Sequence, residues 1–307
     1  DYLQSVGYTI NGKPIVNRTI NLSAPTCSPP HSLYLPDGIG GEDACTYDYM
    51  RDLELSPKSE KLGFLGRAVV QVQPQQQVFA ELSYSRAKTW YVGTSNRLRL
   101  RGGNELSTAL IPQLAAALPD DTVQVQARLL DAGNRASELT STGSRVVVGA
   151  SGLLAGWEYD AALNHSINKV SDRDVRGYLI YDKVIEGALD GTINLFGPQN
   201  STGLAYLNSI QVNEEVRNAR GTMSSLDFKG TKALAKLAGG DLALALGGEL
   251  RREQARSGGS ELLLSDNILG DDTPGDSQNT GQSRKVWAVY GEINAPLSKQ
   301  LELQFAV

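Results

Sequence analysis

Apolar and polar residues alternate along this chain in runs that persist for nine to twelve positions. Over residues 61–72, Leu62, Phe64, Gly66, Ala68, Val70 and Val72 share one face, while Lys61, Arg67 and Gln71 share the other. The chain turns at residues 73–76 and returns with Val78, Ala80, Leu82 and Tyr84 against Glu81, Ser83 and Ser85. Further on, Trp157, Tyr159, Ala161, Leu163 and Ile167 oppose Glu158, Asp160, Asn164, Ser166 and Asn168. Leu242, Leu244, Leu246 and Leu250 oppose Ala243, Ala245, Gly247, Glu249 and Arg251; Trp287, Val289, Gly291, Ile293 and Ala295 oppose Glu292 and Asn294. The period is two, that of a strand with unlike faces, and not the 3.6 of a helix. Strands of this length exceed the five or six residues usual in soluble domains.

Connection lengths extend the prediction. Residues 73–76, 154–156, 238–241 and 296–300 read as short turns, whereas residues 94–122, 171–215 and 256–282 read as long polar loops. A further stretch, residues 1–59, precedes the first strand and reads as a loop region. Two strands around each short turn predict an all-β, antiparallel, up-and-down meander of about eight long strands. Short turns on one side and long loops on the other are the plan of an outer-membrane β-barrel. On that plan the turns are periplasmic, the loops are extracellular, and the loops need not pack into a core. The alternation in residues 301–307 continues to the last residue, which predicts a piece of a longer polypeptide. One stretch departs from the β pattern: Leu106, Leu110, Leu114 and Leu118, with Pro119 as a stop, predict a short amphipathic helix over residues 104–118.

Composition narrows the classes. No run of eighteen uncharged apolar residues exists, so a helical membrane span is excluded. The mean hydropathy of -0.26 fits barrel strands, which give lipid only half their residues. A net charge of -5, with no Lys/Arg-rich run, disfavours a nucleic-acid partner. Asp1-Tyr2-Leu3-Gln4 is neither an initiator Met nor a signal segment, so any signal peptide is expected upstream. The two cysteines, Cys27 and Cys45, bracket a Pro/Gly-rich segment in an otherwise cysteine-free chain, which favours a disulfide in an oxidising compartment. Closing that loop stabilises it by about 3 kcal/mol in the chain-entropy account.

Catalytic chemistry is not legible. The two histidines, His31 and His165, form no His-x-x-x-His zinc pair, and His165 lies on an apolar strand face. Gly149-Ala-Ser151-Gly152 lacks the spacing of a nucleophile elbow, and no phosphate-cradling glycine loop is present. The acidic stretch 266–276, with Asp271 and Asp272, offers oxygen ligands for calcium, but its spacing is not an EF-hand's and a solvated loop is the favoured reading. Asn17, Asn21, Asn164 and Asn200 begin triplets that match glycosylation sequons, as chance alone produces. No cofactor and no enzymatic activity are predicted.

Several segments together resemble the barrel of TonB-dependent outer-membrane receptors of Gram-negative bacteria, in the branch common among xanthomonads. They are Glu60-Lys-Leu-Gly-Phe-Leu-Gly-Arg67-Ala, Val78-Phe-Ala-Glu-Leu-Ser-Tyr-Ser-Arg86, and Gly152-Leu-Leu-Ala-Gly-Trp157-Glu-Tyr-Asp-Ala-Ala162. Leu242-Ala-Leu-Ala-Leu-Gly-Gly-Glu-Leu-Arg-Arg-Glu253 and Val286-Trp-Ala-Val-Tyr-Gly-Glu-Ile-Asn-Ala-Pro296 complete the set. The resemblance runs from about Cys27 onward and includes the cysteine pair. It implies a 22-stranded barrel of which this chain is a partial arc, lacking the plug domain and the closing strands. It further implies localisation in the cell outer membrane and import of a scarce nutrient: a siderophore-iron complex, cobalamin or an oligosaccharide. The implied partners are membrane lipid, that ligand, and a TonB-type energy-coupling protein that contacts an N-terminal region absent here. Trp157 and Tyr159 would sit in the periplasmic aromatic girdle, and Trp90 and Tyr91 near the outer one. Lumen-facing candidates are Glu81, Ser83, Glu158, Asp160, Asn164, Glu249, Arg251, Glu292 and Asn294, with the three long loops as the first point of ligand contact. The competing reading is a soluble all-β carbohydrate-binding or adhesin-like module.

Overall fold

The computed structural model describes residues 9–10, 13–14, 21, 23–39, 42–102, 123–271 and 279–307. Two small hairpins come first: β1 (Thr9–Ile10) with β2 (Lys13–Pro14), and β3 (Tyr34–Ile39) with β4 (Glu42–Cys45). Then follow β5 (Lys58–Gln73), β6 (Gln76–Ser95), β7 (Arg97–Gly102), β8 (Val123–Arg128), β9 (Asn134–Leu154) and β10 (Trp157–Arg176). The remaining strands are β11 (Leu179–Ile180), β12 (Glu215–Lys236), β13 (Asp241–Gly259), β14 (Ile268–Leu269), β15 (Thr280–Ser298) and β16 (Leu301–Ala306). Eight of them form one antiparallel sheet in the order β16-β15-β13-β12-β10-β9-β6-β5. Neighbours in the sheet are successive long strands of the chain, so the sheet is an up-and-down meander. Among the described residues it does not close, and β5 and β16 are its edges.

Tight turns set this register. Ala155 and Gly156 link β9 to β10 with φ of 51° and 79°, the doubly positive pair that matches the right-handed twist of hairpin strands. The other three turns are nearly as short, and all four lie at one end of the sheet. A slip by one residue would exchange the two faces, so each ladder fixes which side chains go where. One face runs continuously through the direct pairs Phe64–Tyr84, Leu82–Val146, Val148–Leu163, Leu163–Leu226, Leu226–Leu250 and Leu250–Trp287. It stands uncovered: Leu163 and Leu250 are 60% exposed and Trp287 74%. The opposite face runs through Glu81–Val147, Val147–Asn164, Asn164–Ser225 and Ser225–Arg251 and is rich in polar residues, although Leu65 and Val69 of edge strand β5 are exposed on it. Aromatic rings lie against glycines of adjacent strands: a Cβ on Gly247 would approach Tyr290 to 2.3 Å, and one on Gly149 would approach Phe79 to 2.4 Å.

Two expectations are corrected. The seven long strands span 16 to 22 residues rather than nine to twelve. They outrun the apolar alternation because, away from the turns, polar residues occupy both faces and the period-two contrast fades while the ladder continues. Two of the long connections are correspondingly shorter than expected, residues 177–214 against 171–215 and residues 260–279 against 256–282, whereas the one between β6 and β9 runs over residues 96–133 and outlasts 94–122; none of the three is coreless. They hold the β7–β8 hairpin, helices Tyr181–Leu189, Ser201–Ser209 and Glu261–Leu264, and the β11–β14 pair. The helix predicted over residues 104–118 lies outside the described residues. No described helix is long and apolar enough to cross a membrane.

Candidate functional site

The folded core of the described residues lies at the loop end of the sheet, where three connections meet. Leu98, Leu129 and Ala132 come from the β6–β9 connection; Leu179, Val184, Ile193, Leu207 and Ile210 from the β10–β12 connection; Leu269 from the β13–β15 connection. Together they make one cluster, with Val212, Val216, Leu263 and Ile268 making a second. Helix Tyr181–Leu189 buries Val184, Gly187 and Ala188, one face at helical spacing, and Asn267 Oδ1 caps its start by accepting from the Asp182 amide at 2.8 Å. Gly187 is required by close approach: a Cβ there would lie 2.6 Å from the Tyr206 ring.

Buried and half-buried polar side chains stitch the same connections together. Asn96, fully buried, donates from Nδ2 to the Gly177 carbonyl. Gln211 accepts from the Gly177 amide at 2.5 Å and donates to the Ala132 carbonyl at 2.9 Å. Arg135 donates to the carbonyls of Thr94 at 3.1 Å and Gly270 at 2.9 Å. Each bond satisfies a main-chain group that a loop over a core would leave orphaned.

Beneath this layer Asp172, Asp174 and Asp271 gather around Arg217, which pairs with Asp172 at 3.4 Å and with Asp271. Asp174 is 2% exposed, and its Oδ2 has no hydrogen-bond partner. Burial, reinforced by repulsion from Asp172 and Asp271, pushes its carboxyl up to about 7. Burial also raises the Asp172 carboxyl, against the pull of Arg217, and raises the Tyr178 phenol. These groups stand well past the apolar run of β10, which ends at Ile167.

The amino-terminal segment packs beside the same end. Cys27 and Cys45 form a disulfide, with S–S 2.06 Å and Cα–Cα 5.6 Å. Tyr47 donates to Asp52 and sits 3.3 Å from Ser95 Oγ, while the Arg128 guanidinium lies 3.9 Å from the Tyr47 ring centre. Burial alone would raise the Asp52 carboxyl, but donation from Tyr47 and Asn134 and the nearby cations leave it lowered. A cleft of about 450 Å³ opens between this segment and the cap, lined among others by His31, Tyr47, Arg128, Phe196 and Gln199. Its size suits a small ligand, and it mixes aromatic faces with donors and a cation. Replacing both cysteines with Ser should loosen this wall by about 3 kcal/mol and expose residues 23–52 to protease, leaving the sheet intact. Limited proteolysis checks this; unchanged cleavage would mean that packing alone holds the segment.

All nine residues proposed as lumen-facing share the polar face. Glu81, Asn164 and Arg251 fall in one cross-strand row, and Glu158 and Glu292 in another through Thr231 and Ala245. Several already have partners. Glu81 pairs with Arg67 at 3.4 Å, Arg251 with Glu249 at 3.0 Å, and Asn164 accepts from Arg145 at 2.8 Å. Asn294 donates to Glu302 at 2.6 Å, and Glu292 accepts from Gln304 at 2.5 Å. Asp160 stands opposite Lys229, and Ser83 opposite Arg145. Trp90 lies on the apolar face between Lys58 and Lys88, while Tyr91 points to the other side; His165 is on the apolar face, 2.8 Å from Ser224 Oγ. Of the acidic stretch 266–276, Asp271 is engaged by Arg217, and residues 272–278 lie outside the described residues. Asp172 and Asp174 escaped sequence reading, although two residues apart on a strand they share a face that the period-two rule identifies, and Asp271 entered it only within the acidic stretch 266–276.

No protein-family model matches this chain, and no curated protein or solved structure matches it.

Proposed function

We propose that this chain is an arc of the wall of an outer-membrane transport barrel, of the TonB-dependent receptor kind, that captures a scarce nutrient outside the cell and imports it. The observation that carries this reading is the uncovered apolar face of the eight-stranded meander. Monomeric soluble proteins rarely expose a contiguous apolar patch beyond a few hundred Å². Here Leu62, Phe64, Val70, Leu163, Leu250, Trp287 and Val289, all more than half exposed, extend it from β5 to β15. Lipid is the solvent that such a face fits, and a barrel strand needs only about ten residues to cross. The rest of each strand then stands above the membrane and carries the cap. In a barrel of 22 strands, the polar face with Glu81, Asn164 and Arg251 lines the lumen, and the two sheet edges are paired by further strands. The cleft beside the disulfide and the cap form the external ligand-catching surface. The ligand is an iron chelate, cobalamin or an oligosaccharide, and energy arrives through a TonB-type protein acting on an N-terminal region.

The test uses the complete protein in its native membrane. It should fractionate with the outer membrane, show heat-modifiable mobility in gels, and take up a labelled ligand from that panel in a manner abolished by a protonophore. Replacing residues 260–279 with a Gly/Ser linker should cut uptake about tenfold or more while heat-modifiability persists, because the segment supplies Leu263, Ile268 and Leu269 to the cap. Recovery of the protein in an aqueous fraction would overturn the membrane reading. Uptake unchanged by the replacement but lost on lumen substitutions would move recognition from the cap to the wall.

A further inference from the structure

On the apolar face, the long strands cross from uncharged to charged residues at a border on the side away from the tight turns. The first ionised residue beyond the apolar run is Arg86 on β6, Lys169 on β10, Arg220 on β12, Arg252 on β13 and Lys285 on β15. Arg256 follows on β13. Five strands of the sheet thus meet the border with a cation. On β9 and β5 the first ionised residues are Glu138 and Glu60, and each is already held by a lysine, Lys88 at 2.7 Å and Lys58 at 3.4 Å.

The six other cations are exposed and make no ion pair among the described residues. Their registers make this unusual. Lys169 is directly opposite Arg220, Arg220 is directly opposite Arg256, and Arg252 is directly opposite Lys285. Like charges in directly opposed positions destabilise a sheet, and adjacent strands are only about 4.8 Å apart. The nearest carboxylates of β13, Glu249 and Glu253, lie on the other face, bound to Arg251 and Arg284. This face therefore concentrates positive charge within about 10 Å across β10, β12 and β13, and the neighbouring carboxylate on it, Glu215, is bound by Ser171 and Asn218 rather than by these cations. The border follows one cross-strand row from Arg86 through Thr142 and Lys169 to Arg220, and then steps four residues toward the turns to the Arg252–Lys285 row.

We infer that this border is a binding site for the phosphate groups of a membrane amphiphile, an acylated lipid carrying more than one phosphate, whose chains lie on the apolar run below. The inference rests on the membrane reading of the preceding section. The charge requires an anion. The position of that charge, at the end of an exposed apolar run, requires the anion to be joined to hydrocarbon. Because the cations span three or more strands, a single phosphate reaches some of them and not all.

The experiment places the complete protein in phosphatidylcholine nanodiscs containing a small fraction of either bisphosphorylated lipid A or its fully dephosphorylated form. Lipid retained after detergent extraction is read by native mass spectrometry. The native protein should retain the bisphosphorylated lipid about tenfold better than the dephosphorylated one, and Lys169→Gln/Arg220→Gln/Arg256→Gln should erase that preference. Arg284→Gln, on the other face, should leave it unchanged, and Lys169→Arg should preserve it. Heat-modifiable mobility confirms that each variant is folded. Equal retention of the two lipids, or a preference surviving the triple substitution in a folded protein, overturns the site. Displacement of the lipid by pyrophosphate at comparable concentration overturns the lipid and leaves a free-anion site. Failure of the complete protein to enter the discs at all overturns the membrane reading together with this inference.

Discussion

Replacing Asp174 with Asn will flatten the pH dependence of the cap. In the native protein the folded carboxyl titrates near pH 7, whereas an unfolded aspartate titrates near 3.9. Between these values the folded state holds a proton that the unfolded state has released. Stability is therefore greatest below about pH 4, declines as pH rises toward 7, and levels off above it. The linkage amounts to a few kcal/mol, on the order of 1.4 for each pH unit between the two values. Burial is the main cause, with Asp172 and Asp271 adding repulsion and Arg217 and Arg135 opposing it. An Asn amide has the same shape, carries no charge, and offers donors to the neighbouring carboxylates. Hydrogen exchange across residues 174–216 at pH 5 and pH 8 will show weaker protection at pH 8 in the native protein and little difference in the variant. Equal protection of the native protein at both values would mean that Asp174 is not held as a buried acid. Asp52 provides an internal contrast, since its lowered carboxyl stabilises its surroundings at neutral pH and loses that effect on acidification.

Leu207→Ala or Leu179→Ala will open the cap without dissolving the sheet. Both side chains are 0% exposed in the cluster that joins three connections. Truncating a buried leucine costs about 2–5 kcal/mol through lost transfer energy and the cavity left behind. That cost falls on a small layer of short helices, whereas the sheet is built of strands of up to 22 residues. Leu179 also pairs with Leu269 across β11–β14, so its loss reaches the third connection. Protease should cut residues 177–214 in the variants at a concentration that spares the native protein, with heat-modifiable mobility unchanged. Simultaneous loss of both properties would show that cap and sheet are one cooperative unit.

The strands and the two faces were legible in the sequence because period two survives wherever one side of a strand differs from the other. Leu163 beside Asn164, or Leu250 beside Arg251, is sufficient to assign a face, and the ladders then bring those assignments into register. Strand ends were not legible. Beyond Ile167, β10 reads Asn168, Lys169, Val170, Ser171 and Asp172, with polar residues on both faces, so the pattern lapses before the strand does. The cap was missed for a related reason. Its core takes single residues from distant connections, such as Leu98, Leu179 and Leu269, none of which belongs to a local run that announces burial. The acid trio is non-local in the same way, since Asp271 reaches Asp172 and Asp174 only after β12 and β13 have been laid down. The disulfide, by contrast, rests on two cysteines in a chain with no others.

The two-residue pair β11–β14 joins segments that the chain visits on either side of a complete hairpin, β12–β13. Leu179 and Leu269 meet in the structure with the flanking ladders, β10–β12 and β13 against its neighbours, in their full register. A slip anywhere in the intervening hairpin shifts one partner by a strand repeat, about 3.4 Å per residue, and the pair fails to form. The pair is thus a local contact that depends on long-range register. A mispaired sheet would leave the leucines of the connections bare to water, where proteases reach them. The β11–β14 contact reports at one point on the register of the whole hairpin that it spans.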